Sequence, residues 1–413
     1  MNAPVSVKRI GSVDELDALG PVWNELQDHC DYQHVLMDHR WVSTWWRYFG
    51  RGKAQHTLLL SSGRNPVGIV PLAITRSFEA FPFRDPYVMG PDDYQFLPGL
   101  RRRRLVPLRR LTFPLNLVSG NIRGQAIFPH AEPASYAAFA SYAAGIAGDW
   151  DVATLPGMRP WDQEQAVLAN AARGAGLLPG RRQAKRPMLY IDLPASLQDF
   201  LRSRSSHFRQ RMQQEGNKLE RTFAALGPMK VTCYRGTEID EGLRRLFALE
   251  KQSWKVADSK QRRLHLSLDD HARGFFREAA GRFAADDNAQ VLILSFGETN
   301  AAGWFTLERK GVASSVLTYR NEQLAEPVSI VPIWQELIKG GIDRGLRRLD
   351  INGFTRNYLK WAKDQHDYSS VTLFNTAPYS RLLQLVDNGA LAFARRFVPR
   401  SQDIRSEPAR PST

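Results

Sequence analysis

The sequence predicts an α+β protein built from two tandem, similar halves, each a mixed and mostly antiparallel sheet flanked by helices. Residues 290–375 read as three consecutive strands, a helix with apolar residues at helical spacing, and another strand. A similar order of strand, helix and short strand ending at a glycine occurs in residues 111–157. The repetition indicates a duplicated unit.

Local patterns predict the elements of the first half. After a strand at 5–10, helices are expected in 13–28 and 39–49, because apolar residues recur there at helical spacing. A hairpin and the repeated strand–helix–strand unit then complete this half. The predicted segments are strands at 56–60 and 67–75 with a turn at 63–66, an irregular stretch at 77–110, a strand at 111–117, a helix in 133–147 and a strand within 149–157.

The second half begins near Pro187, after the turn-rich and basic stretch 174–186. One long helix, Ser196 to Phe223, is expected first, with an apolar stripe and a second stripe of cations seven residues apart. The remaining segments are a strand at 230–234, helices in 238–254 and 267–284, three strands from 290 to about 320, a helix capped by Ser329, a strand at 347–351 and a strand at 371–374. The expected domains are 1–186, 187–378, and a terminal helix with a tail over 379–413.

Composition indicates a large protein of a reducing compartment. The chain has 413 residues, 43% of them hydrophobic, which is enough for about two domains. Two cysteines do not make a disulfide framework or a metal site. The sequence has neither an apolar signal segment nor a run of about 18 apolar residues for a membrane span. We therefore expect a cytoplasmic protein, with peripheral contact at the inner face of the membrane through residues 384–397 as an alternative.

The net charge of +14 is concentrated between residues 101 and 220, where 18 Lys/Arg face 9 Asp/Glu. Such a surface attracts anions, among them the phosphates of coenzyme A, an anionic sugar or lipid diphosphate, lipid headgroups or RNA. A solvated surface without a ligand is the alternative. Nucleophile-elbow, Walker, zinc-protease and dinucleotide-binding motifs do not occur, which argues against a phosphotransferase or metallohydrolase.

Several segments occur in an order that resembles the GNAT superfamily of acyltransferases, specifically the cellulose-biosynthesis (CelD/BcsL) type, and that is similar to the Fem-type aminoacyltransferases. The resemblance covers about 350 residues and implies tandem GNAT-like domains. The segments are Leu19-Gly-Pro-Val-Trp23, Trp41 with Trp45-Trp46, Val70-Pro-Leu72, Phe208-Arg-Gln-Arg211, Glu250-Lys-Gln-Ser-Trp254, and Gly353 followed by Tyr358-Leu-Lys-Trp361.

The resemblance implies an acyl-CoA donor, such as acetyl-CoA, held where a glycine-rich loop meets a helix N-terminus. The corresponding segment 325–330 contains no glycine. The side chain of Ser329 and the amides of Ile330 and Val331 are the predicted donor-binding groups. Glu326 would oppose a phosphate there, and Pro327 has no N–H to offer.

The resemblance also implies catalytic residues. Tyr358 is expected to be the general acid, and Lys360 to stabilise an oxyanion or hold a donor phosphate. Asp350, at a strand end, is the leading general base. Glu250, His265 and His271 remain alternatives for that role. For each residue, packing or solvation without a chemical role is the competing interpretation.

The acceptor is expected to meet Arg209 and Arg211 on the basic helix, together with the aromatic residues Trp254, Trp304 and Tyr319. The leading hypothesis is acyl transfer to an amine or hydroxyl of an anionic sugar, envelope or exopolysaccharide precursor. The alternatives are a Fem-like aminoacyl-tRNA-dependent ligase, whose basic helix would engage tRNA, and a non-catalytic module that binds membrane or RNA.

Overall fold

A computed structural model describes residues 4–30, 34–80, 105–116, 126–128, 133–158, 162–180, 186–253, 266, 269–353, 358–362 and 364–397. Its strands are β1 (Val5–Ile10), β2 (Ala54–Gln55), β3 (Thr57–Ser62), β4 (Asn65–Val70), β5 (Ala73–Ala80), β6 (Leu105–Thr112), β7 (Val152–Met158), β8 (Leu178–Pro179), β9 (Arg186–Asp192), β10 (Met229–Arg235), β11 (Ala289–Phe296), β12 (Thr299–Arg309), β13 (Val312–Arg320), β14 (Arg348–Asp350) and β15 (Asp364–Phe374).

The α-helices lie on both sides of these strands. They are α1 (Val13–Ala18), α2 (Gly20–Asp28), α3 (His39–Phe49), α4 (Pro133–Gly145), α5 (Asp162–Gly174), α6 (Leu197–Arg202), α7 (Ser206–Thr222), α8 (Ile239–Lys251), α9 (Asp270–Ala284), α10 (Val331–Asp343) and α11 (Pro378–Phe397). Short 3-10 turns occur at Val35–Met37, Ala224–Leu226, Gly236–Glu238 and Tyr358–Lys360. Among the helices in the described ranges, none is long and apolar enough to cross a membrane.

Most strands join one long sheet that runs through both halves of the chain. Its order is β10-β11-β12-β13-β14-β9-β15-β7-β6-β5-β2, with β8 also beside β15, and β1, β3 and β4 form a separate sheet. The described strand pairs are antiparallel except β13 with β14 and β6 with β7. The expected α+β fold with mixed, mostly antiparallel sheets is therefore confirmed.

The two parallel pairs are built in the same way. In the second half β13 leads into α10, which returns the chain to β14; in the first half β6 is followed by α4 and then β7. Parallel neighbours need such a crossover, because a tight turn reverses the chain direction. The predicted duplication is thus visible as two copies of one β-α-β unit.

Strand β15 connects the two halves of the long sheet. Residues 364–368 pair with β9, whereas residues 369–374 pair with β7 of the first half. The expected boundaries, 1–186 and 187–378, assign this strand to the second half, although half of it completes the sheet of the first. Those boundaries stay a prediction.

The first helices also pack against the second half. Trp41 of α3 meets the ring of Phe275 on α9, with ring centroids 4.9 Å apart. Arg309, at the end of β12, forms ion pairs with Asp38 at 2.7 Å and with Asp28 at 2.6 Å. One apolar core therefore includes α1 to α3 together with α8 and α9.

Two predicted helices are each broken in the structure. The helix expected over 13–28 is α1 and α2, because Pro21 in the first turn of α2 cannot donate a backbone hydrogen bond to the preceding turn. The helix expected over 196–223 is α6 and α7. Ser205 caps a new helix there by accepting a hydrogen bond from the amide of Phe208 at 3.2 Å.

Other boundaries differ by a few residues. The strand expected at 111–117 is β6, Leu105–Thr112, and the strand expected within 149–157 begins at Val152. The helix expected from Ser329 begins at Val331, so Ser329 lies one residue before the cap position, Ile330. Tyr358 lies on a three-residue 3-10 turn, Tyr358–Lys360.

Candidate active site

The parallel strands β13 and β14 separate soon after they begin. They pair only over Val312–Ser314 and Arg348–Asp350, while β13 continues to Arg320 beside β12. In the described part of the chain, no strand pairs with residues 315–320 of β13 on the β14 side. The result is a gap between two parallel strands on the β14 side of β13.

Asn352 lies where the two strands separate. Its backbone has a positive φ of 54°, and its side-chain amide donates to the carbonyl oxygen of Ser315 at 3.2 Å. The backbone N–H of Asn352 in turn donates to the Asp350 carboxylate at 2.9 Å. Asp350 is buried, with 3% of its surface exposed. Its visible role is thus to hold this turn, and a role as general base stays a prediction.

The N-terminus of α10 follows the end of β13 and therefore opens beside this gap. Ile330 provides no side-chain cap, and Pro332 in the first turn has no N–H. The Ser329 hydroxyl accepts a hydrogen bond from the amide of Val331 at 3.4 Å. The predicted donor-binding residues Ser329, Ile330 and Val331 are half-buried at this helix end.

A carboxylate from α7 reaches the same place. The Glu215 carboxylate accepts a hydrogen bond from Nε of Arg211 at 3.3 Å, and it also accepts one from the side chain of Ser329. Burial would raise the pKa of Glu215, but the hydrogen bonds from Ser329 and Arg211 outweigh it and lower the pKa, helped by the charges of Arg211 and Lys360. We call Arg211, Glu215, Ser329 and Lys360 the Glu215 cluster.

Sequence reasoning did not identify Glu215. The available signal was its spacing of four residues from Arg211 on a predicted helix, which places both side chains on one face. Its contact with Ser329 depends on how α7 packs against α10, and no local pattern encodes that packing.

Tyr358 lies in an aromatic environment on the same side of the sheet. Its ring centroid is 6.1 Å from that of Trp304 and 5.7 Å from that of Trp334. Trp334 stacks on Trp361 at 4.9 Å. Burial raises the pKa of Tyr358, an effect that the charge of Arg320 opposes. The phenol is therefore protonated at neutral pH, as a general acid must be.

Lys360 is exposed on the same 3-10 turn as Tyr358. Its charge acts on the Glu215 carboxylate. The predicted residues Ser329, Tyr358, Lys360 and Arg211 are thus close together, on the face of the sheet covered by α7 and α10.

The predicted acceptor-binding aromatic residues Trp304 and Tyr319 lie on opposite faces of the sheet. Trp304 faces α10 and donates its indole N–H to the Ser315 hydroxyl at 2.8 Å. Tyr319 packs on the opposite face, beside α8, and its hydroxyl donates to the Glu250 carboxylate at 3.2 Å. That carboxylate also accepts from the amide of Leu266 at 2.9 Å. A single channel lined by Trp304 and Tyr319 would have to pass through the gap between the strands.

The other predicted site residues do not lie beside this gap in the described part of the chain. Trp254 and His265 lie outside the described residues. The Nε2 atom of His271 contacts the carbonyl oxygen of Tyr48, away from the gap between β13 and β14. Within the described residues, no group of three or more His, Cys, Asp or Glu side chains is arranged to hold a metal ion.

The cations of the basic stretch differ in their surroundings. Arg209 is exposed and donates to the carbonyl oxygens of Leu201 and Arg204, which joins the end of α6 to α7. Arg110 is 1% exposed, so it does not contribute to a basic surface. Burial lowers its pKa to about 10. Two further groups of cations in this stretch, Arg101–Arg104 and Arg181, Arg182 and Lys185, lie outside the described residues.

Comparison with known families agrees with this geometry. Residues 206–360 match the family model described as acetyltransferase (GNAT) domain. This part of the chain is therefore similar to a GNAT acetyltransferase domain. The matched segment begins with α7 and ends at Lys360, so it includes the whole Glu215 cluster, the gap between β13 and β14, and Tyr358. The expectation of an acyltransferase enzyme is confirmed.

Solved structures show the same fold at low sequence identity. FemX is 11% identical, with a TM-score of 0.54 over 92% of this chain and 100% of its own. The C-terminal domain of a putative lysylphosphatidylglycerol synthetase from Agrobacterium fabrum is 13% identical, with a TM-score of 0.50 over 92% of this chain and 97% of its own.

A conserved protein of unknown function from Bacteroides thetaiotaomicron is 9% identical, with a TM-score of 0.50 over 90% of this chain and 100% of its own. No curated protein matches the chain significantly. The likeness to Fem-type proteins is thus one of fold, and neither these matches nor the family model names the CelD/BcsL type.

Proposed function

We propose that the protein transfers an acyl group from acyl-CoA to an amine or hydroxyl of an anionic sugar or cell-envelope precursor. The observation that supports this most is the convergence of three features beside one gap. They are the N-terminus of α10 with Ser329, the aromatic pocket of Tyr358, and the cation of Lys360.

These features suggest where the donor would lie. The donor's extended amide-containing arm would lie in the gap beside β13 beyond Ser314, where the pairing with β14 ends. The amides at the start of α10 and the Lys360 ammonium would then meet the donor's phosphates. Such an arrangement would bring the thioester toward Tyr358, between Trp304 and Trp334.

The chemistry that follows is direct transfer. The acceptor nitrogen or oxygen attacks the thioester carbonyl, its new bond to the carbonyl carbon forms, and the carbon–sulfur bond breaks. The leaving thiolate takes a proton from Tyr358, and a base takes the proton that the acceptor loses. Asp350 and Glu250 are the buried carboxylates that we propose for this base.

The acceptor class rests on charge and on resemblance. Arg209 and Arg211 are exposed on α7, and an acceptor that enters along this helix would meet them. An anionic sugar or envelope precursor fits this surface. The proposal that this precursor belongs to polysaccharide synthesis rests on the resemblance to the CelD/BcsL type.

Isothermal titration of the purified protein with coenzyme A and acetyl-CoA tests the donor. Micromolar binding is expected, and screening of sugar and envelope acceptors would follow. Absence of binding in a folded protein would count against acyl-CoA and in favour of a donor bound to another carrier.

A Fem-like aminoacyl-tRNA-dependent ligase is the second candidate, because α7 presents several exposed cations. Arg209, Lys218 and Arg221 lie on its solvent side. If tRNA binds there, the logarithm of its affinity should fall steeply and linearly with the logarithm of salt concentration. Charge-reversal variants of Arg209 and Lys218 should reduce that slope. Binding that is weak at low salt as well would exclude this candidate.

Peripheral contact with membranes is a separate proposal supported by α11. This helix exposes Leu382, Leu385 and Val386, with Arg381 beside them. Flotation with anionic liposomes, with and without residues 380–413, would test it. Equal flotation of the two proteins would refute a role for this helix.

A further inference from the structure

The protein already places an anion of its own at the start of α10. The Glu215 carboxylate reaches across from α7 and is hydrogen-bonded by Ser329, the side chain that also accepts from the first helical amide, Val331. A helix N-terminus favours negative charge, since its amides have no intrahelical acceptors. Glu215 therefore lies where the proposed function places a donor phosphate.

The neighbours of Glu215 are the groups that a phosphate would need. Arg211 donates to Glu215 at 3.3 Å, and the charge of Lys360 acts on the same carboxylate. Together with Ser329 they surround one negative charge. A phosphate entering this position would have to share these cations with Glu215 or displace it, because two anions in contact repel each other.

We propose that Glu215 is a specificity-determining residue of the donor site, which occupies the phosphate position and weakens the binding of donors that carry a diphosphate. The inference rests on the proposed function in placing the donor at the N-terminus of α10. The proposed acyl-CoA donor would therefore bind more weakly than it would without this carboxylate, whereas donors whose charge lies elsewhere would not meet this electrostatic competition.

The carboxylate can be changed without disturbing the helix that carries it. α7 is anchored to α10 through Met212 and Leu219, which are 6% and 5% exposed and belong to the same apolar core as Trp334. Glu215 itself is only half-buried. Glu215→Gln keeps the size of the side chain and removes its charge.

A matched control lies five residues further along the same helix. Glu220 is exposed, and among the described residues it forms no ion pair. Glu220→Gln removes the same charge from α7 without changing the Glu215 cluster. A difference between the two variants therefore reports on the position of the charge and not on net charge.

The test is isothermal titration of the full-length wild-type protein and both variants with inorganic pyrophosphate and, separately, with coenzyme A, at low salt. We expect Glu215→Gln to bind both probes at least about tenfold more tightly than wild type, which is about 1.4 kcal/mol in binding free energy. Glu220→Gln should match wild type. The gain should shrink as salt is raised. Thermal unfolding confirms that each variant is folded.

Each outcome decides the inference. Unchanged or weaker binding by Glu215→Gln, or an equal gain from Glu220→Gln, overturns it, as does a failure of all three proteins to bind pyrophosphate. If Glu215→Gln gains pyrophosphate affinity while neither it nor wild type binds coenzyme A, the role of Glu215 is supported and the acyl-CoA proposal fails.

Discussion

Asp38 connects the first helices to the sheet that contains the site, and its removal should destabilise the protein strongly. The side chain is fully buried. It caps α3 by accepting from the amide of Arg40 at 2.9 Å, accepts from the Arg40 side chain at 3.0 Å, and pairs with Arg309 at 2.7 Å. Asp38→Ala removes all of these interactions at once.

The magnitude follows from two contributions. Loss of a helix cap costs about 1 kcal/mol. Breaking a buried ion pair costs about 3–5 kcal/mol when it leaves one charge without a partner. Arg309 is 8% exposed but keeps Asp28, so the lower figure applies. The expected loss is about 4 kcal/mol of unfolding free energy, a large part of the roughly 5–15 kcal/mol typical of a domain.

Urea unfolding followed by tryptophan fluorescence would measure this loss, because Trp41 and Trp45 are buried in the same core. Asp286→Ala is the matched control. Asp286 pairs with Arg40 at 2.7 Å but is 66% exposed, so its loss should cost less than about 1 kcal/mol. Equal effects of the two substitutions, or a loss below 1 kcal/mol for Asp38→Ala, would refute the argument from burial.

Further predictions concern the site and the dependence on pH. Tyr358→Phe should lower kcat by roughly 10²–10⁴-fold, as loss of a general acid does, while the Kd for coenzyme A stays unchanged; an unaltered kcat would remove Tyr358 from the mechanism. Lys360→Ala should weaken coenzyme A binding by about tenfold or more, since a charged hydrogen bond contributes about 1.5–3 kcal/mol, whereas Lys218→Ala should have little effect; equal Kd values for both would argue against a donor contact. Burial, helped by the charge of Arg9, lowers the pKa of His56 from its ordinary value of 6.5 to about 4. Between pH 6.5 and pH 4 the imidazole of His56 is therefore protonated in the unfolded chain but not in the folded one. As the pH falls through this range the protein should lose about 1–2 kcal/mol of stability, after a discount for partial solvation. His56→Gln should flatten that part of the urea-unfolding profile, and an unchanged profile would contradict the assignment.

The order of elements was predictable because it depends on local patterns. The change from alternating to helical spacing near Ser329 located β13, α10 and β14 within one or two residues. The same patterns placed Tyr358 and Lys360 just after β14. Resemblance to a family then assigned roles to these positions, which the sequence pattern alone did not.

Other features depend on contacts between distant residues. The break between α6 and α7 follows from Ser205 acting as a cap, in a stretch whose apolar spacing fits one helix equally well. The contact of Glu215 with Ser329 joins residues from two helices packed across the sheet face. The separation of Trp304 from Tyr319 onto opposite faces follows from strand register, which composition does not show.

The position of β15 has a consequence for synthesis on the ribosome. The nascent chain emerges from its N-terminus, and residues 369–374, which pair with β7, emerge late. Until then β7 presents an open edge to other nascent chains and to chaperones, although β5 and β6 are already available to pair with each other. The sheet of the first half therefore stays incomplete until the last strand of the second half has been synthesised.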